Sequence, residues 1–220
     1  MIEIIPAIIA HSQDELNDKV KAVERYAKKV QLDIMDGNFV SDVTVGVEEL
    51  NKIETNLEIQ VHLMVTKPED VIGLWVSVPS VTEIIFHIEA TDKANEIIDI
   101  IKKGGKIAGV AINPDTSLDK LFNIMGTMSD MVPMMFVQFM TVHPGKYGSD
   151  FVEGVLPKIA DFKSRYPNIP IAADGAVNNL TIKKLEDVGV SMFVSGSYIF
   201  SGIKHVDEAI EELRKIAQNI

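Results

Sequence analysis

Eight apolar runs rich in β-branched residues alternate with eight helix-like runs along this chain, at a spacing of roughly 25 to 30 residues. The strand candidates are 2–9, 30–40, 57–65, 82–88, 106–112, 134–142, 169–173 and 192–195. The helix candidates are 12–28, 47–54, 66–75, 93–103, 117–125, 150–166, a segment within 179–189, and 206–217, with one extra turn at 197–200. Strands that alternate with helices imply a parallel sheet with crossover helices. Eight such units in 220 residues fit a closed (β/α)8 TIM barrel better than an open sheet. A doubly wound sheet is the rival, but no G-x-G-x-x-G follows the first strand. No linker, low-complexity tract or charge run marks a second domain, so one barrel is expected over residues 1–220.

Local signals punctuate the pattern. Ser12 is placed as an N-cap with Asp14 and Glu15 in the first turn. Pro68 stands in the first turn of the third helix, Gly104-Gly105 ends the fourth, and Asn113-Pro114 stops the fifth strand. Composition narrows the partners. The formal charge of −11 and pI near 4.9 argue against nucleic acid and anionic membranes, which call for a basic surface. A small anion remains compatible, because backbone N–H groups bind one locally. With no cysteine, disulfides, zinc–thiolate sites and cysteine nucleophiles are excluded. Met1-Ile2-Glu3-Ile4 runs directly into the first strand, leaving no room for a signal peptide, and no apolar run suits a membrane helix. A cytoplasmic protein is expected.

The stretch Val30-Gln31-Leu32-Asp33-Ile34-Met35-Asp36-Gly37 looks like a buried strand that delivers acids to a site. Barrel active sites lie at the C-terminal ends of the strands, where this scheme also places His62 and Asp174. Each has a plainer explanation alone: a loop acid, a hydrogen-bonded core histidine, and Asp-Gly turn chemistry. Yet Asp33 interrupts an apolar run, where a carboxylate costs energy unless paired, and three such residues at three strand ends favour a site. Two carboxylates across a barrel mouth suit proton abstraction beside a carbonyl, one ionised to accept and one protonated to return the proton. A divalent metal held by Asp33, His62 and Asp174 would stabilise the developing oxyanion as a Lewis acid. Met35, Met64 and Met140 fall near strand ends, and spacing alone favours core packing for them. Gly145, Gly148, Gly175 and Gly196-Ser197 follow strands six to eight, where barrels often bind phosphate.

With those segments in view, the chain resembles the ribulose-phosphate 3-epimerase family over nearly its whole length. The carriers are Pro6-Ala7-Ile8-Ile9, Asp33-Ile34-Met35-Asp36-Gly37-Asn38-Phe39-Val40, Val61-His62-Leu63-Met64-Val65 and Phe86-His87-Ile88-Glu89-Ala90. They continue in Gly109-Val110-Ala111-Ile112-Asn113-Pro114, Met140-Thr141-Val142-His143-Pro144-Gly145, Ala173-Asp174-Gly175 and Ser195-Gly196-Ser197-Tyr198-Ile199-Phe200. The resemblance implies a barrel isomerase of the pentose phosphate pathway, interconverting D-ribulose 5-phosphate and D-xylulose 5-phosphate. It casts Asp33 and Asp174 as the acid–base pair, both on one divalent metal (Zn, Fe, Mn or Co) with His62. It places Met35, Met64 and Met140 against an enediolate, and the late glycines with Ser197 on the phosphate. The family often forms homo-oligomers, and the expectation extends to this chain.

Several positions depart from the family pattern. His-x-Asp-x-Met-Asp-Gly reads here with Gln31 first, so one of four metal ligands is altered; a carboxamide oxygen is a harder donor than imidazole. Ala7 stands for a serine and Ser12 for an aspartate. Pro144-Gly145-Lys146-Tyr147-Gly148 replaces Pro-Gly-Phe-Gly-Gly, and Ala176 replaces the second glycine of Asp-Gly-Gly. These edits keep two rivals open: an epimerase of a related ketose phosphate, such as a hexulose 6-phosphate, and a barrel that binds a sugar phosphate without turning it over. A decarboxylase or aldolase-type synthase is disfavoured, because the stretch lacks the lysine of Asp-x-Lys-x-x-Asp.

Overall fold

The computed structural model describes residues 2–126, 135–144 and 148–218. Eight parallel strands close into a barrel in chain order: β1 (Glu3–Ile8), β2 (Lys29–Met35), β3 (Glu58–Met64), β4 (Val81–His87), β5 (Ile107–Ile112), β6 (Met135–Met140), β7 (Ile171–Asp174) and β8 (Met192–Ser195). β8 pairs with β1, so the described sheet has no open edge. Between them run α1 (Gln13–Val23), α2 (Val47–Leu50), α3 (Ile72–Val76), α4 (Ala94–Lys103), α5 (Leu118–Gly126), α6 (Val155–Arg165) and α7 (Ile182–Asp187). The short α8 (Ser197–Phe200) and the longer α9 (Val206–Gln218) follow β8. This is the (β/α)8 TIM barrel.

The strands read as continuous apolar runs because both of their faces are covered. On β2, Leu32 and Ile34 join the outer core between barrel and helices, while Gln31, Asp33 and Met35 alternate with them. A separate interior cluster of Ile5, Ala7, Ile85, Ala111, Phe136, Ala172, Met192 and Val194 fills the barrel. Small side chains are required where the interior is crowded: a Cβ at Gly109 would lie 2.5 Å from Ile85 and 2.7 Å from Phe136. Ile9, Met35 and Met64 form a third apolar group, with Phe39 and Val40 packed on it.

A buried polar cluster involves the lower ends of the strands. Lys29 on β2 donates to Glu83 on β4, and the Gln60 amide on β3 donates to the same carboxylate. Lys29 also lies 3.6 Å from Glu3. Burial opposes the lysine charge, but Glu83 outweighs it and holds the ammonium pKa above its ordinary value.

The element boundaries differ from expectation in several places; α1 ends at Val23 and not near Lys28, and α2 ends at Leu50 and not at Glu54. The 150–166 helix begins only at Val155, because Val152 N–H is bonded across to Thr141 O at 2.8 Å. The expected helix at 66–75 is a 3₁₀ turn (Pro68–Asp70) followed by α3, with Lys67 at φ +52 as its cap. The second strand ends at Met35; Asp36 forms an isolated antiparallel bridge with Val43, and Gly37 lies in the bend that follows.

Replacing the lysine tests the lower cluster. Lys29→Met should cost about 3–5 kcal/mol in urea unfolding, because Glu83 is left buried without its cation. Adding Glu83→Gln should recover most of the loss, since it removes the stranded charge.

Candidate active site

Asp33 enters the barrel mouth from β2, and the loop beyond it is tied back to hold it. Thr44 Oγ1 donates to Asp33 O at 2.8 Å and accepts from Met35 N–H at 3.0 Å. Asp36 serves that loop instead of the reaction centre. Its Oδ1 accepts the Asn38 and Phe39 N–H groups, both at 2.9 Å, and its Oδ2 accepts Thr66 N–H at 2.8 Å. Burial works against its ionisation, but these donors outweigh it and lower the pKa. The second acid of the stretch is therefore a clasp between the loops after β2 and β3.

Asp33, His62 and Asp174 converge from β2, β3 and β7. Each offers a ligand atom, and these atoms lie within 4.8 Å of one another. His62 Nδ1 is 3.2 Å from Asp33 Oδ1 and 3.3 Å from Asp174 Oδ2. Burial disfavours the imidazolium, but bonds to Asp174 and Asp33 prevail and lift its pKa to about 9. Burial raises the Asp33 pKa, with Asp174 adding to the shift and His62 opposing it. Both aspartates are nearly buried, at 6% and 8% exposure, so each needs compensation.

Two glutamines supply part of it. Gln31 Nε2 donates to Asp33 Oδ1 at 2.8 Å and to Asp174 Oδ2 at 2.7 Å. Gln138 on β6 donates to the same Asp174 oxygen at 2.9 Å. Sequence inspection missed Gln138. Its signal was there: a polar residue within an apolar strand, two positions before Met140, as Asp33 is two before Met35. His87 was noted only as a family marker, yet its Nε2 lies 2.9 Å from His62 Nε2. Its Nδ1 lies 3.3 Å from Glu89, and Phe39 packs against its ring at 4.8 Å between centroids. Burial lowers the His87 pKa, while Glu89, although burial acts the other way, is held down to about 2 by His87, Thr116 and Asn113. A neutral His87 then donates from Nδ1 to the Glu89 carboxylate and accepts from His62 Nε2–H.

Above these groups opens a cleft lined by Asp33, Asp174, Met35, Met64 and Met140, with Ala7 and Ile9 on one wall. Its rim holds Gly148, Gly175, Ala176, Gly196 and Ser197. Gln31 and His62 are fully buried, and Gly145 lies outside the described residues, as do Lys146 and Tyr147. Gly175 has φ +113, and a Cβ there would meet Val142 at 2.4 Å, so the backbone approaches the β6 loop as only glycine permits. Ala176 follows at φ +48, its carbonyl tied by Thr181 Oγ1 at 2.7 Å and Asn178 Nδ2 at 3.0 Å.

Residues 3–200 match the model of the ribulose-phosphate 3 epimerase family. The chain belongs to that family. Ribulose-phosphate 3-epimerase of Bacillus subtilis (strain 168) is 31% identical, over 97% of this chain and 99% of its own length. The Escherichia coli (strain K12) protein of the same name is 31% identical, over 97% of each chain. These relatives are named as epimerases, which are isomerases acting on carbohydrates. Among solved structures, KGPDC from Streptococcus mutans superposes with a TM-score of 0.72 at 14% identity, covering 100% of this chain and 98% of that one. The 3-hexulose-6-phosphate synthase from Salmonella typhimurium gives 0.71 at 12%, covering 99% of each chain. At such identities the likeness is one of fold. Among the described residues no helix is long and apolar enough to cross a membrane.

The His62 shift makes a pH prediction. A group whose pKa rises on folding stabilises the fold fully below its unfolded value and loses that contribution as pH climbs through the folded value. Urea midpoints of chelator-treated protein should therefore decline between pH 6.5 and about 9. His62→Gln should flatten the decline.

Proposed function

We propose that this chain interconverts D-ribulose 5-phosphate and D-xylulose 5-phosphate by proton transfer between two aspartates. The observation that carries the reading is the placement of Asp33 and Asp174. They come from β2 and β7, which two intervening strands separate on one side of the barrel and four on the other. Both reach one cleft and are bridged by a single amide. Acids so placed address opposite faces of a carbon held between them, as inversion of a stereocentre requires.

The steps follow from protonation. The carboxylate of one aspartate takes the proton from the sugar carbon beside the carbonyl, and the C–H electron pair flows into an enediolate. The other aspartate, as its acid, delivers a proton to the opposite face. Burial raises the Asp33 pKa, which suits it to hold the proton at rest, with Asp174 as the base in that direction. In the reverse direction the roles exchange. Met35, Met64 and Met140 line the cleft and shield the enediolate from water. The rim of Gly148, Gly175, Ala176, Gly196 and Ser197 is where the phosphate is placed, its small side chains leaving backbone accessible.

The donor set also fits a divalent cation. Asp33, His62 and Asp174 are two carboxylates and an imidazole with suitably close ligand atoms, and three protein ligands leave a position for substrate. Such a cation supplies Lewis-acid stabilisation of the developing oxyanion. Gln31 presents its nitrogen to this group, and its Oε1 is buried with no partner among the described residues. The substrate is a small sugar phosphate, and a cytoplasmic location and a single domain over residues 1–220 accord with this reading.

Turnover tests it. Purified protein, chelator-treated and then supplied with Mn2+, Fe2+, Co2+ or Zn2+, should epimerise D-ribulose 5-phosphate. Asp33→Asn and Asp174→Asn should each lose about 10²–10⁴ in kcat. Preference for a hexulose 6-phosphate would reassign the substrate, and absence of turnover on either sugar under every metal condition would leave a binding barrel.

A further inference from the structure

Two buried carboxamides converge on one oxygen of Asp174, and each leaves its own carbonyl unpaired. Gln31 uses both amide hydrogens, one on Asp33 Oδ1 and one on Asp174 Oδ2. Gln138 Nε2 lies 2.9 Å from that same Oδ2, with Met140 Sδ at 4.0 Å. Gln31 Oε1 and Gln138 Oε1 are both buried without a partner among the described residues. A buried acceptor left unmade carries a real cost, so two side by side in a reaction centre call for a reason.

The geometry of the carboxamide offers one. Rotation of half a turn about its terminal bond exchanges nitrogen and oxygen in nearly the same volume, and that torsion is soft and roughly two-fold. In the cation-free site the Gln31 nitrogen faces Asp33 Oδ1, Asp174 Oδ2 and, at 3.3 Å, His62 Nδ1, and it presents nitrogen because an oxygen there would face two carboxylate oxygens and give up both N–H bonds. With a cation among Asp33, His62 and Asp174 the preference reverses, because a carboxamide oxygen is a ligand and its nitrogen is not. Gln138 arrives from β6, on the other side of Asp174 from β2, and need not turn. Its N–H remains on Asp174 when that of Gln31 swings away.

We propose that Gln31 is a rotating ligand. Its amide hydrogens cross-link Asp33 and Asp174 when the site is stripped of cation, and its Oε1 joins the ligand set when a divalent cation binds. Gln138 is the positioning residue that keeps Asp174 oriented in both conditions. The inference rests on the cation site described above. It carries a consequence for selectivity: three oxygens and one imidazole nitrogen form a harder set than two carboxylates with two imidazoles. The site should favour Mn2+ relative to Zn2+ more than a histidine at position 31 would allow.

The experiment is metal binding, read by calorimetry on the full, chelator-stripped chain and by NMR of the side-chain carboxamides. Gln31→Leu should weaken Mn2+ binding by about tenfold or more, and Gln138→Leu should weaken both Mn2+ and Zn2+ by roughly tenfold, as loss of a group that orients a ligand does. Gln31→His should tighten Zn2+ by about tenfold while leaving Mn2+ within a few-fold, since imidazole is the softer donor. In the wild-type chain, the Gln31 Cδ and Nε2 resonances should shift when diamagnetic Zn2+ saturates the site. Saturation with an unmoved Gln31 carboxamide would overturn the rotation while leaving the cation site intact, and this readout stands even if Gln31→Leu fails to fold. A folded Gln31→Leu chain that binds both metals as the wild type does would also overturn it. Failure of both wild type and Gln31→His to bind any cation would instead remove the site on which the inference rests.

Discussion

Two carboxylates held close together out of water set the terms for the rest of the barrel mouth. With ligand oxygens no more than 4.8 Å apart, even an effective dielectric of 20 leaves a repulsion of at least about 3 kcal/mol. Both side chains are buried, so water does little to relieve it. Relief has to come from protonation, from cationic partners or from N–H donors. The site is equipped for each: a raised Asp33 pKa, an imidazole lifted to about 9, and two glutamine amides. The repulsion that would destabilise a purely structural pair is what makes a pair useful for moving a proton.

That constraint propagates outward along a chain of alternating roles. His62 carries positive charge toward the aspartates, which obliges its other nitrogen to donate. His87 accepts at Nε2 because its own proton is drawn to Glu89, and Glu89 stays ionised, against its burial, because His87, Thr116 and Asn113 all donate to it, the Asn113 N–H to its other oxygen at 2.8 Å. The chain runs from β3 through the end of β4 to the loop after β5. The orientation of a reaction-centre imidazole is thereby fixed by backbone two strands away, which is how a rigid barrel holds a site steady.

Most of the fold was legible because a strand covered on both faces must be apolar throughout, and eight such runs leave few topologies. The candidate site was legible for the same reason. A polar residue inside such a run stands out, and Asp33, His62 and Asp174 are three of them. Gln138, His87 and Gln60 obey the same rule and were passed over, because amides and histidines are tolerated in cores more readily than acids and so attract less notice. Asp36 shows the opposite error. It sits beside the informative strand, yet its carboxylate is consumed by three backbone N–H groups: two belong to its own Asp-Gly-Asn-Phe turn, a local pattern open to sequence reading, and the third, from Thr66, depends on the loop after β3. The late start of α6 has a similar cause, since residues before Val155 are held by Thr141 on the far side of the β6 loop.

The edits to the family pattern become intelligible as a group once the site is assembled. Gln31, at the edited ligand position, donates to Asp174 from one side as Gln138 does from the other, and it supplies a neutral donor where an imidazole would bring ligand nitrogen. Neutral donors stabilise two carboxylates less than a cation does, but they do so without fixing a net charge, which leaves room for the charge that arrives with a metal or a phosphorylated substrate. Ala176 makes a related compromise at the rim. Its left-handed backbone costs roughly 1–2 kcal/mol for a residue with a Cβ, and the bonds from Thr181 and Asn178 to its carbonyl hold that conformation against the strain. The backbone path needed beside the cleft is thus preserved even where the glycine that would adopt it freely is absent. In both places surrounding hydrogen bonds enforce a geometry the local residue would not choose, which is the signature of a structure constrained by its site.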